Sequence, residues 1–205
     1  MARDIQRVRG AKVSDKEASR IGRELFYGIR RKKNYHRAFP LLLQAANAGY
    51  EHSQNLVGYC YSEGLGVKKN LKLALFWFQA AAEEGKHKEA LFNLAVAYER
   101  GQGTAIDLRK AFACYKQAAK LGDASAQYNL GVAYLEGLGT RQNLSLGIRW
   151  IKRAAQKDDA MAQYNLAQAY LKGEGVGKDQ SLARHWFKKA AKNGHKKAAA
   201  ALRNI

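Results

Sequence analysis

The chain has 205 residues, enough for one domain of moderate size or two small ones, and 47% of them are hydrophobic. No apolar run approaches the roughly 18 residues that a membrane-spanning helix needs, so the composition predicts a soluble protein. Basic residues outnumber acidic residues by 36 to 17, and the excess lies mainly at the two ends. Residues 1–37 have a net charge of +8 and residues 178–205 one of +7.

Residues 1–13 are predicted to be a basic N-terminal extension. No apolar segment follows them, as it would in a secretory signal. Cys60 and Cys114 occupy different positions in the repeats described below, so we expect two small buried residues and not a disulfide framework. These observations favour a cytoplasmic protein.

The first predicted repeat, residues 14–49, is the least regular. Ser14 and Glu17 have the spacing of a capping box, which predicts a helix that starts here. The loop after this helix reads "RRKKN" at 30–34, and it lacks the second of two glycines found in the other repeats. Pro40 lies where the second helix should be running, so it either marks a late helix start or bends the helix.

Four regular repeats follow, and a stub at 195–205 begins a sixth. Each of the four regular repeats contains a Gly-x-Gly motif, with a tyrosine three residues before it and an Asn or Asp four residues after it. The motifs recur every 36 or 37 residues, at Gly64–Gly66, Gly101–Gly103, Gly137–Gly139 and Gly173–Gly175. The repeats span 50–85, 86–122, 123–158 and 159–194. We expect residues 14–205 to form a single domain of five repeats.

Each repeat is predicted to be a pair of helices, A and B. In the fourth repeat the spacing of Ala126, Leu130, Ala133 and Tyr134 indicates an amphipathic helix A. The first glycine of the motif is suited to end this helix, and the Asn or Asp after the motif is suited to cap helix B. A single hairpin cannot bury its apolar stripe, whereas about three or more stacked hairpins can. The sequence therefore predicts an all-α fold, a right-handed α/α superhelix (solenoid) of about five helical hairpin repeats.

The repeated pattern resembles the Sel-one-like repeat, a relative of the tetratricopeptide repeat with a longer loop. It reads A-x-A-Q-x-N-L-G-x-x-Y-x-x-G-x-G, then an Asn or Asp cap, then W-F/Y-x-K-A-A, and is clearest at 126–155 and 162–194. The resemblance implies a protein-interaction scaffold or adaptor that binds a partner protein or peptide on a concave face lined by the A helices. Cysteine-rich secreted members of the family have one disulfide per repeat, which this chain lacks.

No pattern in the sequence indicates catalysis. The Gly-x-Gly motifs follow a helix and lack the Gly-Lys-Ser/Thr of a phosphate loop, so we interpret them as turns. The five histidines show no metal-ligand spacing, and no pair of carboxylates is placed by the repeat for acid–base chemistry. We therefore expect a protein that is not an enzyme, with no cofactor and no metal site.

The predicted partner-binding residues lie on helix A, on the side away from the residues that should face the core. A turn of about 100° per residue places aromatic and amide side chains there. They are Tyr59, Phe92, Asn93, Arg100, Tyr128, Asn129, Tyr164, Asn165, Gln168 and Lys172. Two interpretations have equal weight: these residues contact a partner peptide, or the asparagines and tyrosines bond only to neighbouring helices.

The basic ends support an alternative function, the binding of nucleic acid or another acidic partner. The two basic patches are Arg30, Arg31, Lys32 and Lys33 near the N-terminus and Lys188, Lys189, Lys192, Lys196 and Lys197 near the C-terminus. Charged terminal repeats would equally serve solubility, because the ends of a repeat array need a polar outer face. We regard nucleic-acid binding as the less favoured of the two functions.

Overall fold

The computed structural model describes residues 13–83, 86–203 and 205. Most of the predicted basic extension, residues 1–12, lies outside this described part. Within it the secondary structure consists of α-helices joined by turns, with no strand. The helices, numbered in chain order, are α1 Asp15–Tyr27, α2 Tyr35–Asn47, α3 Glu51–Glu63, α4 Leu71–Ala82, α5 Lys88–Arg100, α6 Leu108–Lys120, α7 Ala124–Glu136, α8 Leu144–Ala155, α9 Ala160–Lys172, α10 Gln180–Lys192 and α11 Lys196–Arg203. The odd-numbered helices α1 to α9 are the predicted A helices, and the even-numbered helices are the B helices.

The chain divides into two compact units. The first contains Met1–Ala90 and Gln102–Thr104, and the second contains Leu91–Gly101 and Ala105–Ile205. The boundary therefore falls within α5. The first unit includes the hairpins α1–α2 and α3–α4, and the second includes α7–α8 and α9–α10.

The B helices begin where the sequence predicts, at an Asn or Asp that follows the loop. The Oδ1 atom of Asn143 accepts a hydrogen bond of 2.9 Å from the backbone N–H of Leu146 in the first turn of α8. Asn34, Asn70, Asp107 and Asp179 cap the other B helices in the same way. Each such cap satisfies a backbone N–H that has no partner inside the helix and contributes about 1 kcal/mol. The predicted cap of α1 is also confirmed, since Ser14 accepts from the N–H of Glu17.

The two glycines of each regular loop have different roles. Gly137 ends α7 in the left-handed conformation, with φ of 75°, and its N–H donates to the carbonyl of Ala133. Gly139 also has a positive φ, 67°, and lies against the first residue of helix B in the preceding repeat. A Cβ atom on Gly139 would be 2.0 Å from the carbonyl oxygen of Leu108. Glycine is therefore required there by close packing as well as by conformation.

Each compact unit has its own apolar core between its helices. In the second unit Leu130, Ile151, Leu166 and Phe187 are fully buried. In the first unit the core includes Leu42, Val57 and Cys60, together with Phe26 and Trp77 from the neighbouring helices. An alanine pair lies near the end of each B helix, and both of its residues are buried in most repeats, which lets the helices approach closely.

Both cysteines are free thiols. Cys60 is fully buried, and burial raises its pKa to about 12. Cys114 is partly buried, and burial raises its pKa to about 11. A thiol with such a pKa is protonated and unreactive near neutral pH, so both behave as the small hydrophobic residues that the sequence predicts.

Two local predictions about helices needed refinement. Pro40 lies inside α2, which starts at Tyr35, so this proline does not delay the helix start. Tyr134, predicted to face the core of the fourth repeat, is only partly buried. Its ring packs edge-on against Phe112 of α6, with the ring centroids 5.2 Å apart.

Candidate protein-interaction surface

The A helices α7 and α9 are joined by a hydrogen bond between two of the predicted partner-binding residues. The Nδ2 atom of Asn165 on α9 donates to the hydroxyl oxygen of Tyr128 on α7 over 3.0 Å. Both side chains are partly buried. Burial raises the pKa of Tyr128, and the hydrogen bond from Asn165 opposes that rise.

Tyr164, one position before Asn165, is held by three neighbours. Its ring stacks on His195, with centroids 4.1 Å apart and planes inclined by 17°, and meets Phe187 edge-on at 5.4 Å. Its hydroxyl accepts a hydrogen bond of 3.0 Å from Nε2 of Gln168, one turn further along α9. Tyr128 with Asn165 and Tyr164 with Gln168 thus form two hydrogen-bonded pairs on α7 and α9, and we call these four residues the tyrosine–amide face.

The equivalent positions on α5 make different contacts. Phe92 occupies the register of Tyr128 and Tyr164 but has no hydroxyl for Asn129 of α7. Asn129 instead hydrogen-bonds to the hydroxyl of Tyr115 on the B helix α6. That hydroxyl donates to the Glu99 carboxylate at 3.1 Å. The pKa of Tyr115 is raised strongly, first by burial and then by the charge of Glu99.

The asparagines of α7 and α9 therefore have the structural contacts that one of the two interpretations predicts. Their contact with a partner stays a prediction. Each amide side chain has two N–H donors and a carbonyl oxygen, and the bond from Asn165 to Tyr128 uses one donor. A residue fixed in this way can still present its other polar atoms to a ligand.

The remaining predicted partner-binding residues are more scattered. Arg100 and Lys172 are exposed at the C-terminal ends of α5 and α9, where Lys172 lies 3.6 Å from Glu174. Asn93 lies on α5 in the register of Asn129 and Asn165 and is partly buried. Tyr59 belongs to the first compact unit, with 42% of its surface exposed and its ring 6.1 Å from that of Phe26.

Sequence reasoning missed two residues that hold this surface in place. Tyr115 occupies the helix B register of Ile151 and Phe187, so the pattern identifies it as a core residue. Only its hydroxyl indicates that it also forms a hydrogen bond. His195 follows the last regular repeat and is the residue that precedes α11. Nothing in the sequence indicates that its ring stacks on Tyr164, 31 residues earlier.

The two basic patches are exposed. In the loop between α1 and α2, Nε of Arg31 donates to Glu24 at 3.0 Å, and Nζ of Lys33 lies 5.8 Å from the centre of the Tyr35 ring. At the other end, Nζ of Lys189 lies 5.1 Å from the ring of Trp186 on α10. The patches belong to different compact units.

Neither a metal cluster nor a membrane span is found in the part of the chain that the structure describes. No three His, Cys, Asp or Glu side chains of that part lie close enough to hold a metal ion. None of its helices has the length and apolar character needed to cross a bilayer.

Together these elements define an all-α repeat protein, built from helical hairpins whose A helices carry aromatic and amide side chains. The sequence profile of the Sel1 repeat matches this chain five times, at residues 18–50, 51–86, 88–123, 124–159 and 160–195. The chain belongs to the Sel1 repeat family, and the resemblance noted from the sequence is confirmed.

Two solved structures of similar proteins bear out the predicted fold class of a helical hairpin solenoid. A Sel1 repeat protein from Oxalobacter formigenes has a TM-score of 0.84 and 31% identity, over 94% of this chain and 76% of that chain. The protective antigen c5321 of uropathogenic Escherichia coli, described as displaying an SLR fold, has a TM-score of 0.87 and 29% identity. That match covers 93% of this chain and 41% of the antigen.

Curated relatives are similar over shorter stretches. The DAP3-binding cell death enhancer 1 of Rattus norvegicus is 30% identical over 91 residues, which is 44% of this chain and 17% of the rat protein. The ERAD-associated E3 ubiquitin-protein ligase component HRD3A of Arabidopsis thaliana is 31% identical over 96 residues, 47% of this chain and 14% of the plant protein. This chain thus matches less than a fifth of the length of either relative.

Proposed function

We propose that this chain is a non-enzymatic protein–protein interaction module that binds an extended segment of a partner protein on the tyrosine–amide face. The observation that carries the proposal is the two tyrosine–amide hydrogen bonds on the consecutive A helices α7 and α9, Tyr128 with Asn165 and Tyr164 with Gln168. Membership of the Sel1 repeat family supports it, because relatives such as HRD3A are named as components of larger assemblies.

The chemistry of these side chains suits recognition of a peptide backbone. Amide side chains pair with backbone N–H and C=O groups, and tyrosines supply contact area at a low cost in conformational entropy. The hydrogen bonds from Asn165 and Gln168 hold both tyrosines in place before a ligand arrives. Such preorganisation lowers the entropy lost on binding.

Affinity capture with matched variants tests the proposal. The double variant Asn165→Ala, Gln168→Ala removes two amides from the tyrosine–amide face, whereas Gln156→Ala, Gln180→Ala removes two exposed amides, one just after α8 and one at the start of α10. We expect a partner captured by the wild-type chain to be lost with the first variant, by about tenfold or more in affinity, and kept with the second. Circular dichroism of both variants measures their helical content, which we expect to equal that of the wild type.

Three results would contradict the proposal. One is a partner that binds the first variant as tightly as the wild type. A second is unfolding of that variant, which would make the amides structural. A third is tight binding of single-stranded or duplex nucleic acid with a steep dependence on salt, which would favour the alternative function of the basic patches.

A further inference from the structure

The first compact unit has a pocket that the repeat pattern does not predict. It has a volume of about 320 Å³ and lies between α1 and α3, bordered by the loop after α1. Arg20, Arg23, Glu24, Tyr27, Ile29, Arg30 and His52 line it, and we name it the arginine pocket. A second pocket of about 310 Å³ shares Arg20 and Arg23 with it and adds Lys16.

The charges in the arginine pocket are organised around Glu24. Its carboxylate accepts hydrogen bonds from Nη1 of Arg20 at 2.7 Å and from Nε of Arg31 at 3.0 Å. Glu17 also pairs with Arg20, at 3.2 Å. These carboxylates fix the arginine side chains and neutralise part of their charge, so the pocket is only moderately positive.

Arg23 and Arg30 are the cations that remain for a ligand. Nε of Arg23 donates to the backbone carbonyl of Ser19. This bond orients the guanidinium and leaves its two terminal amino groups available to a ligand. Arg30 is exposed at the rim. Across residues 13–83, 86–203 and 205, neither guanidinium forms a salt bridge. A guanidinium presents two parallel N–H donors to a carboxylate.

The backbone of Arg30 is a second sign of specialisation. Arg30 has a φ of 59° and occupies the position of the second loop glycine, Gly66, Gly103, Gly139 or Gly175 in the other repeats. An arginine in the left-handed conformation is strained, because its Cβ approaches the carbonyl oxygen. Strained residues of this kind concentrate at ligand sites. The side chain of Arg30 puts a guanidinium at the rim of the arginine pocket, at a position where the other repeats have a glycine.

The remaining lining is aromatic and apolar. Tyr27 is 47% exposed and Ile29 is 57% exposed, although both are large hydrophobic residues. His52 lies beside Tyr27, with ring centroids 6.4 Å apart. The pKa of His52 is lowered by its burial, then by the charges of His87 and Arg23, with Glu89 opposing them. Near neutral pH the imidazole is therefore an uncharged wall.

We propose that the arginine pocket binds an acidic peptide segment of a partner protein, with one carboxylate on Arg23 and Arg30 and an adjacent apolar side chain on Tyr27 and Ile29. This goes beyond the proposed function, because it assigns a separate site and a class of ligand in the first compact unit. Arg23, Arg30, Tyr27 and Ile29 all line the arginine pocket, and its volume of about 320 Å³ is enough for two short side chains of one peptide.

A peptide fits this site better than nucleic acid does. Nucleic-acid sites follow a row of phosphates with many cations, whereas this pocket is a single concavity whose lining includes Glu24 and whose neighbour includes Glu17. These carboxylates repel a polyanion but leave room for one negative charge. The exposed Ile29 also has no counterpart in phosphate recognition.

Panning of a random heptapeptide library displayed on phage tests this proposal with the full chain. We expect the selected peptides to be rich in Asp and Glu next to apolar residues. Their fluorescein-labelled forms should bind the variants Arg23→Gln and Arg30→Gly about tenfold or more weakly, as judged by fluorescence polarisation. Arg30→Gly restores the glycine of the other repeats, so loss of binding by this variant cannot be attributed to loss of the fold.

The control is Arg37→Gln, which removes an exposed arginine of α2 outside the pocket and should leave the affinity within about twofold. Saturation of the wild type with a selected peptide should raise the pKa of His52, measured by NMR, because a carboxylate then lies near it. The Asn165→Ala, Gln168→Ala variant should bind the peptide normally, which separates this site from the tyrosine–amide face.

Selected peptides without acidic enrichment would overturn the proposal. So would peptides that bind Arg23→Gln and Arg30→Gly as tightly as they bind the wild type. Displacement of the peptide by single-stranded DNA or RNA, weakened by the same two variants, would also overturn it and would assign the pocket to nucleic acid.

Discussion

The loop of the fourth repeat and the loop of the first repeat have the same place in their hairpins but opposite characters. The fourth reads Gly137-Leu138-Gly139, and its second glycine is pressed against the carbonyl of Leu108. The first reads Gly28-Ile29-Arg30 and has a long cationic side chain in the same backbone conformation. The difference shows that one backbone geometry serves packing in one repeat and exposes a charge in another.

The largest expected effect comes from a side chain in the regular loop. Gly139→Ala places a Cβ 2.0 Å from the Leu108 carbonyl oxygen in a left-handed residue. Overpacking and conformational strain together should cost about 3 kcal/mol or more of the free energy of unfolding, measured by urea denaturation. The reverse change in the first repeat, Arg30→Gly, relieves strain and should not destabilise the chain. A Gly139→Ala variant as stable as wild type would contradict the close approach.

A smaller effect is expected from the carboxylate that organises the first repeat. Burial acts to raise the pKa of Glu24, but hydrogen bonds from Arg31 and Arg20 outweigh it and hold the pKa below its ordinary value of 4.5. The folded state therefore releases this proton more readily than the unfolded state does. The resulting stabilisation is complete above about pH 4.5 and is lost as pH falls through the lower, folded-state pKa.

Glu24→Gln checks that sign. The variant should unfold at a lower temperature than the wild type at pH 7, and the difference should shrink below about pH 4.5, where the wild-type carboxyl also becomes neutral. Circular dichroism melts across the pH range measure it. Glu63→Gln, at an exposed carboxylate of α3, is the control for the loss of one negative charge. A difference in unfolding temperature that does not change with pH would show that the ion pairs of Glu24 do not stabilise the fold.

The smallest expected effect concerns the tyrosine–amide face. Tyr128→Phe removes the hydroxyl that accepts from Asn165 and reproduces the situation of Phe92 on α5. The free energy of unfolding should fall by about 1 kcal/mol, because the Tyr128–Asn165 pair is only partly buried. A double-mutant cycle with Asn165→Ala isolates the bond, and a coupling energy of zero would mean that the bond contributes nothing to stability.

The periodic features of the fold follow from the sequence, and the features that depend on a neighbour do not. Asn143 as a cap and Gly137 as a helix end are local choices with local partners, so the pattern predicts them. The second glycine has its reason in another repeat, since the atom that excludes a side chain at Gly139 belongs to Leu108. Spacing alone identified the position but only the packing explains it.

The candidate sites show the same limit. Helical geometry placed Tyr128, Tyr164, Asn165 and Gln168 on one side of their helices, but it did not show that Asn165 bonds to Tyr128. The arginine pocket was missed because its residues come from the irregular repeat, where no periodic pattern marks them. Of the residues that line it, only Arg30 belongs to a predicted basic patch, and its alignment with the second loop glycine does not indicate a ligand site.

The contact made by the second glycine has a consequence for how such a chain can change its length. Its partner is a backbone carbonyl, which every amino acid has, and the residues met in this way are Tyr35, Leu71, Leu108 and Leu144. The junction between consecutive hairpins therefore does not depend on which side chain the first residue of helix B has. A whole repeat can therefore be added or removed while each junction keeps the same contact between a glycine and a backbone carbonyl.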